Sequence, residues 1–236
     1  MRKVKYIGLV MISWLISFNH FAFSAIPNPD LILQEVKLKF NTVKDYRADV
    51  KIKVDVDFVK IPEKSGTIYF LQPDLVRVKT KGFSLLPKRG MNITPQNLLG
   101  VNYTAIWIKT DRYEGVEVEV IKVIPIDNEG DIILSTLWVD TDKNIIRKLE
   151  ATTRDAGTFV ISMAFDSPIE GYDLPSKVVV NFDMRKNEIP LGLTGDFEND
   201  RPQGAKSKNT RGKVTITYLE YSINNGEGTA YFKKKK

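Results

Sequence analysis

The feature that most constrains the fold is an uninterrupted alternation in the first third of the chain. Ala48, Val50, Ile52, Val54, Val56 and Phe58 alternate with Asp49, Lys51, Lys53, Asp55 and Asp57. Side chains on a strand point to opposite faces in turn, so this pattern predicts one long antiparallel strand, dry on one face and wet on the other. A helix cannot use it, because a period of two spreads apolar groups around a 3.6-residue turn.

Further runs at 67–72, 75–80, 105–110, 116–124, 132–140, 145–153, 158–166, 177–183 and 213–223 read as strands. Most are joined by short segments of Gly, Asp, Asn and Pro, as a meandering sheet requires. Only the start of the domain is helical in pattern. Asn28 is placed as a cap, Pro29 at the first helical position and Asp30 at the positive end of the dipole. Leu33, Val36, Phe40 and Val43 then form one apolar stripe ending near Asp45, with Glu35 and Lys39 paired on the outer side. The expectation is a mainly β protein with some helix: a curved, mostly antiparallel sheet of about ten or eleven strands.

Two segments interrupt the meander. Residues 82–100 hold Thr94-Pro95, a cap and first position for a short helix over 95–99 closed by Gly100, with Leu98 and Leu99 among its apolar members. It reads either as a packed loop or as a lid over an apolar cavity. Residues 188–212 mix acids, bases, Gly and Pro and read as a long solvated hairpin tip. Asp127-Asn128-Glu129-Gly130-Asp131 and Asp140-Thr141-Asp142-Lys143-Asn144 lack the spacing of a calcium loop and read as hairpin turns.

Residues 1–24 have the layout of a secretory signal peptide: Arg2, Lys3 and Lys5, then a mostly apolar run over 7–18, then Ala22-Phe23-Ser24. That run is short for a membrane span. Cleavage is expected after Ser24, with Ala25 as the alternative, giving a periplasmic protein with one domain over 25–232. The sequence contains no cysteine, so neither a lipid attachment at the cleavage site nor a disulfide is expected. The signal segment and Lys233 to Lys236 carry +3 and +4 of the net charge of +6, leaving a near-neutral body with no basic face for nucleic acid. The lysine tail reads as a solvated terminus or as a weak tether to anionic headgroups.

The single histidine, His20, leaves with the signal segment. Without His or Cys, triad nucleophiles, imidazole bases and the usual zinc or copper sites are excluded, and no metal or cofactor is expected. Carboxylate-pair hydrolysis survives the exclusion without a specific signal.

Gly66-Thr67-Ile68-Tyr69-Phe70-Leu71-Gln72-Pro73, after a helix and a long alternating strand, resembles the opening of the LolA/LolB family of periplasmic lipoprotein carriers. Ala105-Ile106-Trp107-Ile108, Leu137-Trp138-Val139-Asp140 and Tyr221-Ser222-Ile223-Asn224 are similar to later strands of that group. The resemblance implies an unclosed β-barrel curled around an N-terminal helix and a short lid helix, with an apolar cavity between them. It implies a non-enzymatic, monomeric carrier of acylated lipoprotein or another lipid, working between an inner-membrane donor and an outer-membrane acceptor. The family has Arg before the motif Pro, where it holds the closed state. Here the position is Gln72, which cannot make a charge-assisted fork. Arg77 matches another basic position and should point away from Val76 and Val78.

The cavity and lid candidates are Val36, Phe40, Val50, Ile52, Val54, Ile68, Phe70, Gln72, Val76, Val78, Leu98, Leu99, Ile106 and Ile108. Parity puts Ile68, Phe70 and Gln72 on one face, and pairs Ile106 with Ile108 and Val76 with Val78. Any packed sheet has such faces, so a cavity and a filled core both stay open. Two other functions stand beside the carrier: an envelope sensor or interaction module of the RseB type, and a carboxylate hydrolase.

Overall fold

The structure, a computed structural model, describes residues 26–56, 59–60, 62–80, 102–126, 132–154, 157–166, 171–185 and 209–234. Helix α1 spans Pro29–Phe40. The strands are β1 (Asp45–Val56), β2 (Val59–Lys60), β3 (Lys64–Leu71), β4 (Leu75–Thr80), β5 (Tyr103–Tyr113) and β6 (Val116–Pro125). They continue as β7 (Ile132–Asp140), β8 (Ile145–Thr153), β9 (Gly157–Ala164), β10 (Lys177–Arg185) and β11 (Asn209–Ile223), and helix α2 (Glu227–Lys233) follows.

All strands join one antiparallel sheet in the order β4-β3-β1-β11-β10-β9-β8-β7-β6-β5, with β2 paired to β1. Neighbours in the sheet are neighbours in the chain except at one seam, where the first strand pairs with the last. The two free edges, β4 and β5, are instead consecutive in sequence. The sheet is therefore an unclosed antiparallel barrel, cut at mid-chain and joined where the chain's two ends meet.

The seam runs from Tyr46 opposite Ile223 to Val56 opposite Gly212, with a bulge at Asp49/Val50. Asp49 faces Glu220 and Val50 faces Tyr218, so Leu219 is the extra residue. A bulge resets side-chain parity. Val214, Ile216 and Tyr218 face inward before it, and Tyr221 and Ile223 face inward after it.

The core lies between the concave face and α1. Leu33 and Val36 of α1 are buried, and Ala48, Val50, Ile52 and Val54 of β1 lie beneath, so the long alternation points its apolar half inward. Burying a side chain of this size contributes roughly 1.5–3 kcal/mol, so a few contacts hold the helix. Asn28 caps α1 as expected, its Oδ1 accepting from the Asp30 and Leu31 amides at 3.0 and 3.4 Å. The helix ends at Phe40 rather than near Asp45, because β1 pairing claims Asp45 and turns the chain after Asn41. Lys39 does not hold Glu35 but reaches Asp173 at 2.7 Å, a partner distant in sequence.

Helix α2 was not legible as a helix, and Lys233 is its last residue rather than the start of a tail. Its N-cap, Gly226, has no side chain to cap with, so buried Asp45 of β1 does that work. Asp45 accepts from the Gly226 amide at 3.2 Å, and from the Thr229 amide and hydroxyl at 2.8 Å each. Asn224, with φ of 56°, reaches the α1–β1 connection: Oδ1 accepts from Lys44 N at 2.6 Å and Nδ2 donates to Thr42 O at 3.0 Å. Gly228 packs directly on β3, where a Cβ would collide with the Phe70 carbonyl oxygen.

The 95–99 helix with Leu98 and Leu99, the 1–24 segment, residues 188–208 and the Asp127–Asp131 turn lie outside the described residues. Residues 141–144 form the β7–β8 turn.

Backbone oxygens cannot move aside as side chains do, so Gly228→Ala should overpack this contact at a cost of about 1–3 kcal/mol. A calorimetric melt should show Tm lower by several degrees, while Gly115→Ala, at a site with open space around it, should cost only backbone strain. Equal melting of Gly228→Ala and the unsubstituted protein would contradict the packing described.

Candidate functional site

Between α1 and the concave face lies an apolar cavity of about 190 Å³. Its walls come from Val36 and Phe40 of α1, Ile68 and Phe70 of β3, Val76 and Val78 of β4, and Ile145, Ile146, Met163, Val178 and Ile216 farther round the sheet. Phe40 and Phe70 meet edge to face at 5.5 Å. Apolar cavities of about 150 Å³ take up a benzene-sized ligand, so this one admits a segment of a single acyl chain.

Three tyrosines of the sheet join the wall, Tyr46 from β1 and Tyr218 and Tyr221 from β11, beside Tyr172 from the segment before β10. Tyr46 stacks on Phe70 at 5.1 Å and meets Tyr221 edge to face at 5.4 Å. Tyr218 and Tyr221 stack at 4.9 Å with rings 9° apart. Three residues apart on an ideal strand, those two would face opposite ways, and the Leu219 bulge brings them together. The Tyr221 hydroxyl donates to Pro175 O at 2.9 Å. Desolvation is the main reason the phenols resist ionisation: Tyr218 is pushed up to about 12, and Tyr46 and Tyr221 well above their usual value. All three are neutral at any physiological pH.

The polar rim is small. Lys39 pairs with Asp173 at 2.7 Å and Lys143 approaches the same carboxylate at 3.9 Å, tying the end of α1 to the segment before β10. Gln72 closes the connection after α1 from below. Its Nε2 donates to Asn41 O at 3.0 Å and to Val43 O at 2.8 Å, so a neutral amide holds the position where the family Arg was expected. Together Gln72 and Asn224 pin residues 41–45, while the body of α1 rests on the buried Leu33 and Val36, with Lys37 over the Tyr103 ring at 4.9 Å and Leu31 and Leu38 exposed.

The structure brings together Val36, Phe40, Ile68, Phe70, Val76 and Val78 of the candidate residues. Val50, Ile52 and Val54 are buried in the core beside the cavity rather than along it. Gln72 is half-buried at the α1 hinge, and Arg77 is exposed, opposite in parity to its neighbours. Ile106 and Ile108 are 43% and 45% exposed and away from the cavity. Tyr103 and Ala105 are the β5 residues packed on the core, because the sheet curls so that the other parity faces in. The three tyrosines were missed. Their signal was present: the apolar run Val214, Ile216, Tyr218 falls out of phase with Tyr221, Ile223, which only a bulge can reconcile.

Acidic side chains take structural roles here. Buried Asp140 accepts from Arg147 at 2.7 and 2.8 Å and from the Asp142 and Lys143 amides at 3.1 Å, and Asp45 caps α2. Among the described residues Asp173 is the one carboxylate lining the cavity, and no group of three or more His, Cys, Asp or Glu is placed to hold a metal ion. Also among the described residues, no helix is long and apolar enough to cross a membrane.

No family model matches the sequence, and no curated protein matches it either. Solved structures do. A domain from Vibrio parahaemolyticus named as an outer membrane lipoprotein-sorting protein superposes with a TM-score of 0.56 at 13% identity, over 88% of this chain and 98% of that one. A DUF1329 family protein from Desulfovibrio piger gives 0.55 at 10% identity, over 87% and 98%. A LolA superfamily protein from Nitrosomonas europaea gives 0.49 at 11% identity, over 84% and 94%. The chain shares the fold of the lipoprotein-sorting domain and of the DUF1329 protein.

Because folding raises the phenol pKa values, the folded state keeps protons that unfolded tyrosines lose near pH 10, so stability should fall as pH rises from about 10 toward 12. In an absorbance titration at 295 nm these three rings should stay silent until the protein unfolds, and Tyr218→Phe should flatten the alkaline loss. Ionisation of every tyrosine near pH 10 in the folded protein would contradict this environment.

Proposed function

We propose that this LolA-like chain is an exported, periplasmic, non-enzymatic carrier that holds the acyl chain of a lipoprotein or lipid in the cavity beneath α1. In this reading the signal segment is removed after Ser24, residues 25–232 act as one monomeric unit, and cargo passes from an inner-membrane donor to an outer-membrane acceptor.

The observation that carries the reading is the cavity itself. In a packed core, 190 Å³ of void would cost about 4–5 kcal/mol at roughly 24 cal/mol per Å³. That is a large share of the 5–15 kcal/mol by which folded domains are typically stable. A sheet with several aromatic side chains at this spot could have closed the space, and an apolar ligand fills it instead. Each acyl methylene buried contributes about 0.8 kcal/mol, so binding needs no charged anchor. A full-length chain needs more room than the cavity offers, and α1, pinned at one end and held by few apolar contacts, is the element suited to move. The lipoprotein-sorting name of the Vibrio parahaemolyticus domain supports the same cargo class.

Val78→Trp should fill the cavity from the β4 wall. Losing about two buried methylenes of ligand corresponds to roughly tenfold weaker binding. Titration with a fluorescent acyl probe should show that loss while circular dichroism melting changes by only a few degrees. Unaltered affinity in Val78→Trp, or no acyl binding by the unsubstituted protein, would overturn the proposal.

A further inference from the structure

The cavity is apolar but not featureless, and its polar feature is uncharged. Tyr46, Tyr218 and Tyr221 lie side by side in its wall. Tyr221 donates its proton to Pro175 O at 2.9 Å, and the Tyr218 ring stacks on Tyr221 at 4.9 Å. Among the described residues the Tyr46 hydroxyl has no hydrogen-bond partner, although its ring is fixed on both sides by Phe70 and Tyr221. A phenol held in the wall of an apolar cavity is a donor available to an acceptor brought into it.

We infer that Tyr46, braced by the Tyr218–Tyr221 pair, donates a hydrogen bond to a neutral carbonyl oxygen of the ligand, the ester or amide that joins an acyl chain to its carrier. The inference rests on the acyl-carrier reading and narrows its ligand. Two observations favour a neutral acceptor over an anionic one. The cations at the rim, Lys39 and Lys143, both face Asp173, at 2.7 and 3.9 Å, so that carboxylate already occupies their common ground. A carboxylate or phosphate brought deeper would be stripped of water beside three neutral phenols, with no cation in the cavity lining but Lys39.

A competition assay on the purified protein separates the two levels of the reading. A naphthylamine dye whose fluorescence rises in apolar surroundings is bound, then displaced by methyl laurate, by an alkane of equal length, or by laurate. Methyl laurate should compete about tenfold better than the alkane, the worth of one hydrogen bond in a dry site, and better than laurate. Tyr46→Phe should erase the ester's advantage and leave the alkane's affinity unchanged. Its small change in side chain should preserve the fold, and the ligand series on the unsubstituted protein gives the same answer without it. Equal competition by ester and alkane, stronger competition by laurate, or an ester preference that survives in Tyr46→Phe would each overturn the inference while leaving acyl binding intact. Failure of all three ligands to displace the dye would overturn the carrier reading and this inference with it.

Discussion

The antiparallel pairing of the first strand with the last is the interaction on which the rest of the structure depends. Every other strand contact is local in sequence, a hairpin or a short step, and could form early. The β1–β11 seam joins residues 46–56 to 212–223 and so closes the largest loop in the chain. It fixes where the sheet is cut, because with the ends joined the free edges fall at β4 and β5. It also places both helices: α1 enters directly before the seam and α2 leaves directly after it. Asp45 and Asn224 fasten that corner with backbone bonds from each side to the other. Contacts of such sequence separation are slow to form, which makes the seam the natural last step of assembly.

The seam also makes the site. Its bulge at Leu219 turns two out-of-phase runs into one inward face and delivers the stacked tyrosines to the cavity wall. The same strand pair therefore supplies cohesion along most of its length and an aromatic wall for the cavity at one irregularity. That division is common where a sheet must be both rigid and selective, because a bulge re-aims side chains without breaking the ladder on either side.

Two neutral amides, Gln72 and Asn224, hold the hinge of α1 where a guanidinium was expected. Neutral hydrogen bonds are about half as strong as charge-assisted ones, so the helix is held less firmly than an Arg would hold it. The ion pair beside that hinge, Lys39 with Asp173, is partly exposed and open to screening by salt.

The sequence alone determined the element types. Alternation over β1, the Asn28-Pro29 helix start and the turn-rich spacing between strands are local signals, each set by backbone geometry within a few residues. The antiparallel meander, and the pairing of Ile68 with Phe70 and of Val76 with Val78 on one face of each strand, followed from them. Tertiary structure decided what local patterns cannot hold. A period of two says that one face is dry but not whether it meets a packed core or an empty space, so Val50 and Val54 lie in core while Val78 lines a cavity. On β5 the wrong parity was read, since Ile106 and Ile108 are more apolar than Ala105, yet curvature turns Ala105 inward. Helix α2 has a glycine at its cap and another inside it, unfavourable on propensity, and exists because Asp45 and the backbone of β3, both remote in sequence, receive it. Local chemistry chose strands and turns, and only the pairing of the chain's two ends decided which of their faces would enclose a site.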